Sequence, residues 1–203
     1  MNLPTVIILA SGRGERFTAS GGITHKLQAN LAGKTVLQRT LEAVRGSGLA
    51  WHLEEGSHRG MGDSIAAAVH KTSQAKGWLI LPADLPLIQS DTLWAIAAAL
   101  KGHDVVVPVY RGRRGHPVAF SSTCLQALLD LKGERGAVSV ARAHANMELV
   151  IEDIGCVTDI DTVDDLHLAE ALLRGMTVSR ESMRRPYFFN NGDGSMQSIT
   201  DDF

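Results

Sequence analysis

The sequence contains few cysteines and few aromatic residues. Among its 203 residues only two are cysteines, and aromatic residues make up 5%. Cys124 and Cys156 have no paired metal-ligand spacing and no further cysteine partners, which excludes a disulfide-rich scaffold and a cysteine zinc site. We therefore predict two inert thiols in a reducing compartment, and a cytoplasmic protein.

Long apolar segments and an excess of charge of one sign are also missing. The longest apolar run, residues 3–10, is far shorter than the ~20 residues that a membrane helix needs. It also lacks the basic segment that begins a signal peptide. Twenty Lys and Arg against twenty-two Asp and Glu give a formal charge of -2, so no overall field attracts a nucleic acid or an anionic membrane. We expect neither as a partner.

The chain is apolar enough to bury a core, since 44% of its residues are hydrophobic and 21% are charged. Its length predicts one domain. Buried or β-branched runs predict strands at residues 5–10, 49–53, 78–81, 105–109, 118–120 and 149–151. Helical spacing of apolar residues predicts helices at residues 35–45, 63–71, 92–100, 125–131, 137–144 and 163–173.

This alternation of strands and helices predicts an α/β domain over residues 1–176, with a mostly parallel sheet covered on both faces. Ser90 or Asp91 is expected to cap the helix at 92–100, and Leu173 to face inward from the last helix. Residues 177–203 sustain no period and are rich in polar residues, Gly and Asn. They are predicted to be a tail, partly disordered or docked through three aromatic side chains, those of Tyr187, Phe188 and Phe189.

A glycine-rich segment, ILASGRGERF, follows the first predicted strand and precedes Lys26. A turn of this kind directs several backbone amides at one point, and Arg13, Arg16 and Lys26 can add positive charge there. The combination predicts a cradle for a polyphosphate. The alternative is an ordinary strand-to-helix turn with solvated basic residues.

Two other phosphate motifs match weakly. A dinucleotide fingerprint would need a third glycine where this chain has Phe17, and an acidic residue about 20 positions later. No acidic residue occurs between Glu15 and Glu42. Residues 33–35, GKT, resemble the end of a P-loop, but Gln28 stands where its first glycine belongs.

Acidic residues follow a predicted strand and precede the last helix. Asp84 lies in LILPADLPLI, at the carboxyl end of a buried strand, where open α/β sheets bind ligands and a carboxylate can hold Mg²⁺. It alternatively caps a turn between two prolines. Asp159 and Asp161 are further candidate metal ligands, whereas Asp164 and Asp165 are better explained by the helix that begins beside them.

Six segments together resemble a known family. ILASGRGERF with Lys26, GMGDSI, LPADLPL, RRGHPVAFS, GERGA and DIDTVDDL occur in the order seen in MobA-like nucleotidyltransferases, and most resemble the molybdenum cofactor cytidylyltransferase branch. The similarity covers about residues 3–174. It implies a Rossmann-like, three-layer fold. It also implies an enzyme that transfers CMP from CTP to the phosphate of molybdopterin and releases pyrophosphate.

The resemblance also implies roles for individual residues. Arg16 and Lys26 would hold the phosphates, and Asp84 would bind Mg²⁺ together with Asp159 or Asp161. His116 and Pro117 would lie beside the acceptor, although His116 alternatively fixes a turn. The residues that would line the nucleotide are Ala10, Ser11, Gly12, Gly14, Gly60, Gly62 and Ser64.

Substrate and partners follow from the same resemblance. The cytidylyl branch tends to carry Ala, and the guanylyl branch Gly, where this chain has Ser11, so CTP is predicted over GTP. A molybdenum-dependent dehydrogenase is a further expected partner. Two alternatives stay open: a non-catalytic protein that carries the molybdenum cofactor, and an NAD(P)H-dependent oxidoreductase on the same fold.

The chain departs from the family pattern in two places. Residues 18–24 lengthen the span between Arg16 and Lys26, which predicts that Lys26 lies on a mobile loop. The family has a strand, a helix and a strand where residues 46–59 leave room for one short strand. We therefore predict a smaller sheet with an exposed edge strand, retained nucleotide binding and a tendency to form homo-oligomers.

Overall fold

The computed structural model describes residues 3–175, 188–190 and 196–198. The strands are β1 (Thr5–Leu9), β2 (Asn30–Leu31), β3 (Lys34–Thr35), β4 (Trp51–Glu54), β5 (Gly77–Pro82), β6 (Val105–Tyr110), β7 (Arg113–Arg114), β8 (Val118–Ser121), β9 (Asn146–Val150), β10 (Phe188–Asn190) and β11 (Met196–Ser198). The helices are α1 (Glu15–Ala19), α2 (Val36–Ser47), α3 (Met61–Lys71), α4 (Ser90–Ala99), α5 (Leu125–Leu129), α6 (Val138–Ala143) and α7 (Val163–Leu173). Short 3-10 helices cover Lys26–Gln28, Ser122–Cys124 and Ile154–Val157.

A seven-stranded sheet in the order β4-β1-β5-β8-β6-β7, with β9 also paired to β6, forms the centre of the domain. Strands β4, β1 and β5 are parallel, and β6 and β9 run in the same direction, so five of the seven strands point one way. The predicted α/β class with a mostly parallel sheet is confirmed.

The side chains of β1 show how the sheet builds a three-layer core. Val6 and Ile8 point to one face, where they join a cluster with α2, α4 and α7, while Ile7 points to the other and joins α3, α5 and α6. This alternation is the two-residue period of a strand that is covered on both faces. All three side chains are fully buried.

Strand β8 runs against its two neighbours, β5 and β6, which the alternation of elements did not predict. Only residues 111–117 separate β6 from β8, and they include the short strand β7, which is paired back onto β6. A parallel return needs a crossover of a dozen or more residues. The connection is too short for one, so β8 enters the sheet antiparallel.

The segment between α2 and α3 contributes one strand, β4, as predicted. Strand β4 pairs with β1 and stands at the end of the sheet order. The predicted edge strand is therefore confirmed, and its pairing with another chain stays a prediction.

Two local predictions were wrong. Neither Ser90 nor Asp91 caps α4, which begins at Ser90 without a side-chain cap. The Asp153 carboxylate instead accepts hydrogen bonds from the Gln89 amide (3.0 Å) and the Thr92 hydroxyl (2.7 Å), and this partner is far away in sequence. Leu173 is 41% exposed, because it occupies the last turn of α7.

In the C-terminal segment, β10 and β11 pair with each other antiparallel. The predicted docking of Tyr187, Phe188 and Phe189 through their side chains lies outside what the structure describes. Within the described part of the chain, none of the helices has the length and apolar character needed to cross a bilayer.

Candidate functional site

An open cavity of about 630 Å³ lies at the carboxyl ends of the parallel strands. Leu9 at the end of β1 is in register with Glu54 of β4 and Pro82 of β5, so the loops that follow these strands converge there, as is usual for ligand sites in open α/β sheets. The lining residues are Leu9, Ser11, Gly12, Arg13, Gly14, Glu15, Arg16, Lys26, Leu27, His58, Arg59, Gly60, Met61, Pro82, Asp84, Leu85, His116, Glu134, Cys156, Val157, Asp159 and Asp161.

The glycine-rich loop after β1 forms one wall. Gly14 adopts a left-handed conformation with φ of 67°, which glycine tolerates without strain. The Gly12 carbonyl lies 2.8 Å from Nε2 of His25, which holds the loop against the segment that carries Lys26. Lys26 begins a short 3-10 helix whose next residue, Leu27, is buried, so the inserted residues 18–24 leave its backbone anchored.

Lys26 lies between two carboxylates. Its Nζ donates to Oδ2 of Asp84 at 2.5 Å and to Oδ1 of Asp161 at 2.9 Å. Arg16 reaches the other oxygen of Asp161 at 2.7 Å. Burial by itself lowers the pKa of Lys26, but Asp84 and Asp161 outweigh it and raise the pKa above its ordinary value. Lys26 therefore carries its charge in this site.

The carboxylates also fit a divalent cation. Within the described residues, Oδ1 of Asp84 is a buried oxygen without a hydrogen-bond partner, an arrangement that a cation would satisfy. Burial and the negative charges of Asp84 and Asp161 raise the pKa of Asp159 to about 6, which reflects how close these carboxylates lie to one another. Among the described residues, no group of three or more His, Cys, Asp or Glu side chains is placed to hold a metal ion by itself.

The GMGDSI segment lies beside the glycine-rich loop and also contributes to the cavity. The Gly62 amide donates to the Gly133 carbonyl at 2.8 Å, and the Gly133 amide donates to Oδ2 of Asp63 at 2.9 Å. The Ser64 hydroxyl lies 2.9 Å from the Ser11 hydroxyl. Gly60 lines the cavity, whereas Gly62 and Ser64 are buried behind its surface.

Two more predicted site residues, Ala10 and Pro117, do not line the cavity either. The Ala10 amide is held by the Glu54 carbonyl at 2.9 Å. His116 faces the cavity, and its backbone amide donates to the Cys156 carbonyl at 2.8 Å. Desolvation lowers the pKa of the His116 imidazole below its ordinary value, although Asp84 opposes this shift.

Sequence reasoning missed a charged cluster at the end of β4. Glu54 is 1% exposed, and its carboxylate binds the rings of His52 (3.2 Å) and His58 (3.0 Å), the Lys71 ammonium (2.8 Å) and the Gly56 amide (3.1 Å). His58 also lines the cavity, so Glu54 fixes the loop that leads to α3. The available signal was an acidic residue with histidines two positions before and four after it, in HLEEGSH.

Both cysteines are free and buried. Burial raises the pKa of Cys124, and it raises that of Cys156 to about 12. Neither thiol ionises near pH 7, and the prediction of two inert cysteines agrees with this.

A sequence model of the "MobA-like NTP transferase domain" matches residues 42–147, which is more than half of the chain. The chain belongs to this family. The match runs from the middle of α2 to the start of β9, and the resemblance drawn from the sequence motifs is confirmed at the family level.

Among characterised MobA-like relatives, the chain is similar to the purine catabolism protein PucB of Bacillus subtilis, with 33% identity over 119 residues. The match covers 56% of this chain and 58% of PucB. The chain therefore aligns with little more than half of that relative's length.

Solved structures show the same fold over a larger share of the chain. Rv0371c from Mycobacterium tuberculosis is 25% identical with a TM-score of 0.69, covering 81% of this chain and 95% of that one. A second structure of Rv0371c, in complex with manganese, is 23% identical with a TM-score of 0.64 and covers 81% and 96%. Both support the Rossmann-like assignment.

The contact between the GMGDSI segment and the loop at Gly133 gives a prediction for Gly60. A Cβ atom at Gly60 would lie 2.3 Å from the carbonyl oxygen of Gly133, whereas one at Gly12 would meet nothing within 4 Å. Gly60→Ala is therefore expected to lower the free energy of unfolding by about 1–3 kcal/mol. Gly12→Ala is the control, with a change of at most about 0.5 kcal/mol.

Urea unfolding followed by circular dichroism measures both variants. Equal stability of Gly60→Ala and the wild type would show that the loop at Gly133 moves without cost, and that its close approach to Gly60 is not needed for the fold.

Proposed function

We propose that this protein transfers CMP from CTP to the phosphate of molybdopterin, or of a closely related molybdenum cofactor, with release of pyrophosphate. The observation that carries the proposal is the placement of Lys26 and Arg16 against Asp84 and Asp161 in an open cavity, facing a glycine-rich loop. Such a site offers positive charge for phosphates and carboxylates for a cation. The order of the sequence motifs supports the cytidylyl branch and its acceptor.

The residues of the chain would act by charge and position. Lys26 and Arg16 would bind the triphosphate and stabilise the negative charge that develops on the leaving pyrophosphate. The acceptor phosphate supplies the attacking oxygen, so no side chain is needed as nucleophile. His116 would lie beside the acceptor, and the loops after β1 and β4 would hold the nucleotide in line for attack.

A divalent cation is part of this proposal. Asp84 would hold it through the unpartnered Oδ1, and Asp159 or Asp161 would complete the protein's share of the ligands. When bound, the ion supplies electrostatic neutralisation of the phosphates. The manganese complex of Rv0371c agrees with a cation at a site of this fold.

The test is pyrophosphate release from CTP with Mg²⁺ and molybdopterin, run beside calorimetry with CTP, GTP and NADPH. We expect the amount of pyrophosphate released to rise in proportion to the molybdopterin added, and CTP to bind in the presence of Mg²⁺. Tight NADPH binding without CTP binding would favour the oxidoreductase alternative. Molybdopterin binding without nucleotide binding would favour a carrier protein that hands the cofactor to a dehydrogenase.

Base selection is expected to depend on Ser11. Its hydroxyl contacts Ser64 at 2.9 Å, so the side chain occupies space on the wall of the cavity. We expect CTP to bind more tightly than GTP, and Ser11→Gly to shift the ratio of the two affinities toward GTP by about tenfold. Ser11→Ala is the matched control and should keep the preference for CTP.

Competition titrations of the three proteins with both nucleotides measure the ratio. Tighter binding of GTP by the wild type would overturn the choice of base and leave the transfer chemistry untouched.

A further inference from the structure

The ammonium group of Lys26 lies where a cation between two carboxylates would lie. Its Nζ contacts Asp84 at 2.5 Å and Asp161 at 2.9 Å, and the three side chains are only 12%, 15% and 19% exposed. A charge this far from bulk water interacts strongly with its neighbours. The buried Leu27 anchors the lysine at its backbone.

The charges around Lys26 nearly balance without a metal ion. Three carboxylates, those of Asp84, Asp159 and Asp161, meet two cations, Lys26 and Arg16. A divalent ion added beside Lys26 and Arg16 would raise the total to four positive charges against three carboxylates. Oδ1 of Asp84 has no hydrogen-bond partner among the described residues, but an ion held there would lie close to the ammonium group on Oδ2. Repulsion between like charges at such short range is large where water is scarce, so the lysine and the metal compete for Asp84.

We propose that Lys26 is a resident substitute for the metal, and that a divalent cation binds Asp84 only when Lys26 leaves it. This inference rests on the proposed function, since the triphosphate of the nucleotide is what would receive the displaced ammonium group. Metal and nucleotide then bind cooperatively, because each favours the same position of Lys26. The protein without nucleotide holds metal weakly.

The experiment is a titration of the full-length protein with Mn²⁺ alone, in which electron paramagnetic resonance measures the free ion. Lys26→Met removes the ammonium group and keeps an unbranched side chain. We expect it to tighten Mn²⁺ binding by about tenfold or more. Lys34→Met is the control for net charge, because Lys34 pairs with Glu42 on the surface, where both are about half exposed, and its Mn²⁺ affinity should be unchanged.

A second control separates occupation of the site from local charge. Arg16→Met removes a cation that contacts Asp161, but Arg16 makes no salt bridge to Asp84 among the described residues. We expect a smaller gain in Mn²⁺ affinity than in Lys26→Met. Equal gains in the two variants would overturn the proposal, since local charge alone would then explain them, and so would unchanged or weaker Mn²⁺ binding in Lys26→Met.

A third measurement removes the ligand for which the two cations compete. In the double variant Lys26→Met, Asp84→Asn the gain in Mn²⁺ affinity should disappear, and a retained gain would contradict the role of Asp84. Lys26→Gln replaces Lys26→Met if the latter does not fold, as judged by circular dichroism.

These titrations contain neither nucleotide nor acceptor. They can therefore disprove the substitution of metal by Lys26 without bearing on whether the protein transfers a nucleotide. Tighter Mn²⁺ binding by Lys26→Met supports the substitution of metal by lysine, even if the wild type releases no pyrophosphate. Turnover by the wild type, combined with no gain in Lys26→Met, overturns the substitution and leaves nucleotidyl transfer in place.

Discussion

Asp84→Asn is expected to lower the rate of pyrophosphate release from CTP by about 100-fold or more. Asparagine keeps the size of the side chain, but it removes the negative charge that pairs with Lys26 and that a cation would use. The backbone contact from Ile160 to the Asp84 carbonyl, 2.9 Å long, does not depend on the side chain, so the fold should persist. Lys26→Ala should cause a loss of similar size, because it removes a charge that would bind phosphate.

Asp91→Asn is the matched control, since Asp91 is exposed on α4 and does not line the cavity. Its rate should stay within about twofold of the wild type, because surface charges have small effects. The measurement is steady-state pyrophosphate release at saturating Mg²⁺. Rates near wild type for both Asp84→Asn and Lys26→Ala would remove these residues from the catalytic machinery.

Glu54→Gln is expected to lower the free energy of unfolding by about 3 kcal/mol at pH 7, because it removes the negative partner of a buried charge cluster. Burial alone raises the pKa of Glu54, but hydrogen bonds from Lys71, His58 and His52 and from the Gly56 amide outweigh it and lower the pKa to about 2. Glu42→Gln is the control, since Glu42 is half exposed and should contribute less than about 1 kcal/mol.

The lowered pKa of Glu54 also fixes the direction of a pH effect. The unfolded chain binds this proton near pH 4.5 and the folded protein near pH 2, so the stabilisation is complete above about pH 5 and is lost as the pH falls through that interval. Denaturant unfolding at pH 7, 5, 4 and 3 should show this loss in the wild type. The difference between the wild type and Glu54→Gln should shrink toward pH 2, and a constant difference would contradict the assigned pKa.

Much of the fold was predictable because its signals are local. The unbroken apolar run of β1, the glycines after it and the apolar spacing of α2 and α7 each lie within about a dozen residues, and each element formed as expected. The direction of β8 was harder to predict, because it depends on the length of a connection and on which strands it joins. The contact of Asp153 with the start of α4 was hard to predict for a similar reason, since Asp153 lies 61 residues from Thr92 in the sequence.

The candidate site also has features that local sequence predicts and features that depend on long-range contacts. The glycine-rich loop and Asp84 could be predicted from strands that end in polar residues, but the pairing of Lys26 with Asp84 and Asp161 spans 58 and 135 residues. Periodicity carries no information over such distances, so only the resemblance to a family brought these residues together. Neither the local sequence pattern nor the family resemblance pointed to Glu54. In the sequence it is only a polar residue at the end of an edge strand, and its four hydrogen-bond donors become apparent only in the structure.

The central claim is most directly tested by following the α-phosphate of CTP. The protein is incubated with Mg²⁺, molybdopterin and CTP labelled with ³²P at the α position, and the products are separated by chromatography. We expect the label to move into a cytidylylated molybdopterin, with one pyrophosphate released for each labelled α-phosphate transferred. Label that stays in CTP with folded protein, or that appears only in free CMP or CDP, would contradict nucleotidyl transfer to this acceptor.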